Sequence, residues 1–145
     1  MIYFAYGSNM NGEQMRSRCP GYQVRGVACL SHYMLAFTRW SRAWNSGTAD
    51  ILPQRGQQVF GVLYDLSVGD LARMDKLADY PHSYVRQDIL LTCQGETVPA
   101  MTYVAIRTGV FLPSRAYLAK MLQGSEQQGL DAAYIAFLKS FKTHD

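Results

Sequence analysis

Seven stretches of this chain carry the apolar density and alternation that mark strands: residues 1–6, 22–30, 33–39, 48–53, 58–66, 84–93 and 97–105. They are rich in Val, Ile, Tyr, Phe and Leu, and turn-forming residues separate them. Elsewhere the period changes to that of a helix. Residues 11–18 predict a short one, entered by Asn11 as N-cap with Gln14 three residues on as its capping-box partner. Ser67 followed by Asp70 starts a second by the same logic, after which Leu71, Met74 and Leu77/Ala78 recur at helical spacing. A third follows Pro113-Ser114. In the last, Leu130, Ala133, Tyr134, Phe137, Leu138 and Phe141 form one stripe, read as core packing. Many strands with few crossover helices predict an α+β fold, a mixed or antiparallel sheet curled around a cavity with helices outside.

Composition narrows the class. The 145 residues suit one domain, 1–145, with a core of its own, and no linker, repeat or low-complexity segment interrupts them. Apolar residues at 48% and charged residues at 17% mark a globular chain, not a disordered one. A net charge of +3, spread along the sequence, gives no basic stripe for nucleic acid. No apolar run approaches the ~18 residues of a membrane span, and Met1 leads into a strand with no secretory signal. Cys19, Cys29 and Cys93 are odd in number and widely spaced, and His32, His82 and His144 are scattered. Neither a disulfide framework nor a metal site is expected, and a cytoplasmic location is.

The chemistry concentrates at Tyr3-Phe4-Ala5-Tyr6-Gly7-Ser8-Asn9-Met10. An aromatic strand runs into a tight polar loop and then a helix start, a junction that leaves backbone N–H groups pointing outward to hold an anion or a developing oxyanion. Ser8 lacks the G-x-S-x-G elbow of a nucleophile, so its expected role is turn formation and substrate contact. Arg39-Trp40-Ser41-Arg42-Ala43-Trp44 mixes basic and aromatic residues and reads as a pocket-rim loop, from which Arg39 or Arg42 would suit a substrate carboxylate. Asp75 and Arg86 are expected to form a structural ion pair, and Glu96 to lie in a solvated turn.

The Tyr6-Gly7-Ser8-Asn9 loop resembles the YGSN loop of the gamma-glutamylcyclotransferase (AIG2-like) family. The resemblance continues through Gly47-Thr48-Ala49-Asp50-Ile51, Val59 to Leu66, Met74-Asp75-Lys76-Leu77-Ala78-Asp79-Tyr80 and Tyr84-Val85-Arg86. It reaches Tyr117-Leu118-Ala119-Lys120, Gly124 and Gly129-Leu130. It implies a compact, mixed-strand, partly closed β-barrel with flanking helices. It also implies a transferase or lyase reaction without cofactor or metal. In that reaction the free α-amine of a gamma-glutamyl compound attacks its own γ-amide carbonyl, releasing 5-oxoproline and an amine or amino acid. By the same resemblance Tyr3, Phe4, Ala5, Tyr6, Gly7, Ser8 and Asn9 line the substrate cavity, with Tyr103 and Tyr117 facing it. The expected partner is a small gamma-glutamyl molecule, with no nucleic acid and no membrane, for a monomer or homodimer.

One position departs from the pattern. The family carries a catalytic Glu in a Leu-Asp-x-x-Glu-Gly segment, and ungapped alignment puts Ala78 there. Ala78 neither accepts nor donates a proton, and loss of a general base costs about 10²–10⁴ in rate. Asp79 is adjacent, one methylene shorter than Glu. It is directed about 100° away in a helix, or to the opposite face of a strand, unless a turn redirects it. Three accounts remain open: a non-catalytic binding member of the same fold, Asp79 as a displaced base, or an engineered Glu-to-Ala substitution.

Overall fold

The computed structural model describes residues 1–145. Its elements run β1 (Ile2–Ala5), a 3-10 turn (Ser8–Met10), α1 (Gly12–Arg18), β2 (Gln23–Ser41), β3 (Ser46–Asp65), α2 (Val68–Leu77), β4 (Tyr84–Cys93), β5 (Glu96–Ala105), α3 (Arg115–Gln127) and α4 (Ala132–Lys139). The five strands close into a mixed barrel in the order β1-β3-β2-β4-β5. All pairings are antiparallel except β1 with β5, a parallel seam made by one residue pair, Tyr3 with Met101. Closure leaves no free sheet edge along the barrel.

Two expected strand pairs are single arms. Segments 22–30 and 33–39 are both part of β2, and 48–53 and 58–66 both fall largely within β3. The ladder passes through irregularities: Ser31 pairs with Gln58 but Tyr33 with Pro53, with His32 at φ 66° and Gly56 at φ 84°. A bulge bends the strand and shifts its register, so the alternation breaks although the pairing continues.

The helix starts follow their caps. Asn11 accepts from the Gln14 N–H, Ser67 from Asp70 and Ser114 from Tyr117, each at 3.1 Å. The reciprocal arm of the first capping box is absent. Gln14 Nε2 donates instead to Ser8 Oγ at 2.8 Å and Asn9 Oδ1 at 2.9 Å, while the Asn11 N–H is taken by the Ser8 carbonyl. In α4 the stripe is narrower than its spacing predicts. Leu130, Tyr134 and Leu138 are buried, but Ala133 is exposed and Phe137 is 42% exposed, resting on Tyr134 and Phe141 at the surface. An eight-residue helix on the outside of a barrel offers the core one narrow face.

The loop after β1 is seated against α3. A Cβ on Gly124 of α3 would lie 2.4 Å from the Met10 carbonyl carbon, so only glycine lets α3 approach the 3-10 turn this closely. Within the barrel, Asp50 is fully buried and satisfied by the Thr38 hydroxyl (2.8 Å), the Ala105 N–H and Arg107 Nε (both 3.0 Å), tying β2, β3 and the end of β5 together.

Candidate functional site

A cavity of about 430 Å³ opens between the Gly7–Asn9 loop, the Arg39–Trp44 turn and the C-terminal end of α2. Of the residues expected there, Tyr3, Tyr6, Gly7, Ser8, Asn9, Tyr103 and Tyr117 line it, as do Ala78, Asp79, Arg39 and Arg42. Phe4 and Ala5 do not, which corrects that expectation. Phe4 points to the opposite face of β1 from Tyr3 and is fully buried where Gly61 has no side chain. The Ala5 methyl, on Tyr3's face, is buried and too short to reach the cavity.

The loop is held from several sides. Asn9 Oδ1 accepts from Gln14 Nε2 and, at 2.8 Å, from Arg18 Nη1, while Asn9 Nδ2 donates to the Tyr3 hydroxyl at 3.1 Å. The Tyr64 hydroxyl donates to the Asn9 carbonyl at 2.8 Å. The N–H groups of Gly7, Ser8 and Asn9 donate to no backbone carbonyl. Tyr117 accepts the Ala49 N–H at 3.0 Å, and Trp44 packs edge-on against its ring. Burial raises the Tyr117 phenol above its ordinary value, and the Ala49 and Ser8 donors beside it only partly oppose this.

Across the cavity, the Tyr103 hydroxyl donates to Asp75 Oδ1 at 2.6 Å, and Arg86 grips both oxygens of the same carboxylate. The expected Asp75–Arg86 pair is therefore present, with Tyr103 as a third member. Burial would raise the Asp75 carboxyl, but hydrogen bonds from Arg86 and Tyr103 outweigh it and hold the group below the usual range. Tyr103, desolvated and facing that carboxylate, is raised, as is Tyr84 by burial.

Ala78 is half-buried, packed against the core at the C-terminus of α2. Asp79 follows in the left-handed region, φ 49°, so the chain turns there instead of continuing the helix. The turn leaves Asp79 exposed yet on the cavity wall, where it is the one carboxylate among the lining residues. Its Oδ2 accepts from Ser83 Oγ at 2.7 Å, and Ser83 in turn accepts from Arg39 Nη2 at 3.1 Å.

Arg18, Thr48, Met74, Ser83, Tyr84 and Thr102 also line the cavity and were not singled out by sequence. Thr48, Met74 and Tyr84 lay inside segments carrying the resemblance, and Arg18 sits in the last turn of a helix whose start the caps reveal. Those were the available signals. No group of three or more His, Cys, Asp or Glu side chains is brought together as metal ligands, and no helix is long and apolar enough to cross a membrane.

The closed barrel and its tyrosine-rich cavity beside the Gly-Ser-Asn loop match one family of known proteins. The family model described as gamma-glutamyl cyclotransferase, AIG2-like, matches residues 3–123, and the chain belongs to that family. The gamma-glutamylcyclotransferase of Bos taurus is 28% identical over 150 residues, covering 99% of this chain and 80% of the relative. That of Homo sapiens is 27% identical over the same shares. A solved gamma-glutamyl cyclotransferase superposes with a TM-score of 0.95 at 28% identity, over 99% of this chain and 89% of the other. YkqA from Bacillus subtilis, at 22% identity, shares the fold with a TM-score of 0.83 over 99% of this chain and 55% of its own.

Proposed function

We propose that the cavity binds a small gamma-glutamyl amine or peptide and cyclises it. The α-amine nitrogen attacks the γ-carbonyl carbon, the lactam C–N bond forms, the γ-amide C–N bond breaks, and the proton lost by the amine leaves on the departing nitrogen. The products are 5-oxoproline and a free amine or amino acid, with no cofactor or metal. The observation that carries this reading is Asp79, the one carboxylate on a wall that also bears Arg18, Arg39 and Arg42. Ser83 and Arg39 fix its position, so it is the group available to take the amine proton and return it to the leaving nitrogen. The arginines suit the substrate carboxylate. The N–H groups of Gly7 and Asn9 suit the oxyanion, while that of Ser8 faces the Tyr117 hydroxyl.

A second reading, a silent binding module, is favoured by Ala78, which stands where the family resemblance expects Glu. The test is 5-oxoproline release from a panel of gamma-glutamyl amino acids and amines by the native chain, Asp79→Asn and Ala78→Glu. The proposal expects native activity that falls about 10²-fold or more in Asp79→Asn. Activity confined to Ala78→Glu would replace Asp79 with the missing family carboxylate. Silence in all three, with ligand binding intact, would establish the binding module.

A further inference from the structure

Three of the phenols around the cavity give their protons to the protein, whereas Tyr117, which accepts from the Ala49 N–H, and Tyr3 do not. Tyr6 gives its proton to the Tyr103 carbonyl. Tyr103 gives its own to the Asp75 carboxylate. Thr48 donates to the Arg39 carbonyl at 3.0 Å, so in the close Thr48–Tyr84 contact the tyrosine is the donor. These three phenols therefore offer a ligand only oxygen lone pairs.

Tyr3 is arranged the other way. Arg18 Nη1 is a donor only, so the Asn9 side-chain atom 2.8 Å away is the oxygen, and the atom facing Tyr3 is the amide nitrogen. The Tyr3 hydroxyl thus accepts from Asn9, and no hydrogen bond to the protein uses its own proton. It is 5% exposed and lines the cavity. A buried phenol proton requires an acceptor, and the cavity is where one can enter.

We propose that Tyr3 is a catalytic residue, donating its hydroxyl proton in a hydrogen bond to the γ-carbonyl oxygen and holding the oxyanion that forms there, with Asn9 and Arg18 as positioning residues that turn it toward the cavity. The inference rests on the cyclotransferase reading and assigns its electrophilic side. An ammonium is donor-only and finds acceptors in Tyr84 and Tyr103. A carbonyl is acceptor-only and finds a donor in Tyr3, which Asn9 and Arg18 orient. No bond to Tyr3 forms or breaks. Burial keeps its phenol pushed up to about 12, so the proton is shared with the oxyanion and stays on the tyrosine.

Two substitutions test this. Tyr3→Phe deletes the donor. Asn9→Asp keeps an oxygen for Arg18 and Gln14 but replaces the amide nitrogen with a second carboxylate oxygen, which takes the Tyr3 proton and turns a lone pair to the cavity. Each is expected to lower kcat for 5-oxoproline release about 10²-fold while KM stays within about threefold. The double variant falls no further than either single one, and thermal unfolding confirms that each is folded. A Tyr3→Phe kcat within about threefold of native, or losses that multiply in the double variant, overturns the proposal. All variants are made in the native and Ala78→Glu backgrounds, and absence of 5-oxoproline release from both defeats the cyclotransferase reading itself. The donor is then read directly, from the infrared carbonyl stretch of 5-oxoproline labelled with carbon-13 at that carbonyl. A lowered frequency in the native complex that reverts in Tyr3→Phe supports Tyr3. An unchanged frequency, or no binding, overturns it.

Discussion

Replacing Gly124 by Ala tests how the loop beside the cavity is held. Judged by helix propensity alone, the change is favourable by about 1 kcal/mol. Packing reverses the sign. The new methyl would lie 2.4 Å from the Met10 carbonyl carbon and 2.5 Å from both the Met10 oxygen and the Asn11 nitrogen. All three are backbone atoms, so no rotamer change relieves the overlap, and α3 must retreat by roughly 1 Å to restore ordinary contact. Overpacking costs about 1–3 kcal/mol, and a contact that only backbone movement resolves belongs at the upper end. The net loss is then about 2 kcal/mol. With unfolding entropy near 2.1 cal/mol/K per residue, that corresponds to a fall in Tm of roughly 7 °C. Tyr117 lies two turns earlier on the same helix and moves with it, stretching its 3.0 Å hydrogen bond from Ala49. Calorimetry and urea unfolding of the two proteins give the stability difference, and KM for the best substrate gives the effect on the site. A Tm that stays constant or rises, as propensity alone predicts, would refute the close seating of α3 on the 3-10 turn.

Asp75 should make stability depend on pH. Its folded-state carboxyl titrates below the unfolded value, so its contribution is complete above the unfolded pKa of about 4 and is lost as pH falls through the lower folded value. Native Tm is therefore expected to drop more steeply than that of Asp75→Asn on acidification below about pH 5, and parallel curves would contradict the assignment. Cys19 is buried, and burial followed by the nearby Asp70 pushes its thiol up to about 11, whereas Cys29 and Cys93 are half-buried. Iodoacetamide at pH 8 should label Cys29 and Cys93 in the native protein and Cys19 only after unfolding. Mass spectrometry showing Cys19 labelled as fast as the others would count against the packing of α1 on α2.

Local chemistry was the legible part of this chain. Asn11, Ser67 and Ser114 announced helix starts because a cap acts within a few residues. The cavity's Gly-Ser-Asn loop was visible because its composition is itself the turn signal. The continuity of β2 and β3 was not, because the bulges at His32 and Gly56 interrupt the alternation without ending the ladder. Tyr84, Thr48 and Arg18 went unnoticed as cavity residues because barrel closure, a long-range event, decides which face of a strand or helix looks inward. Phe4 shows the opposite error: a residue inside the motif was assigned to the site, although strand geometry turns it away. The place of Asp79 depended on one backbone angle that its neighbours, Ala78 and Tyr80, do not announce.

The seam between the first strand and the last has a consequence for the chain as it is made. Translation delivers Tyr3 to Asn9 early, with Gln14 and Arg18 close behind, but the distant supports of that loop come later: β3 beside β1, then Met101 across the seam, then the helix bearing Tyr117 and Gly124. At ordinary ribosome speeds roughly ten seconds pass between the two. Until then the aromatic segment lacks part of its final packing. A nonsense codon that removed only α3 and α4 would leave every residue of the loop in place but take away Tyr117 from the cavity wall and the helix seated on Met10.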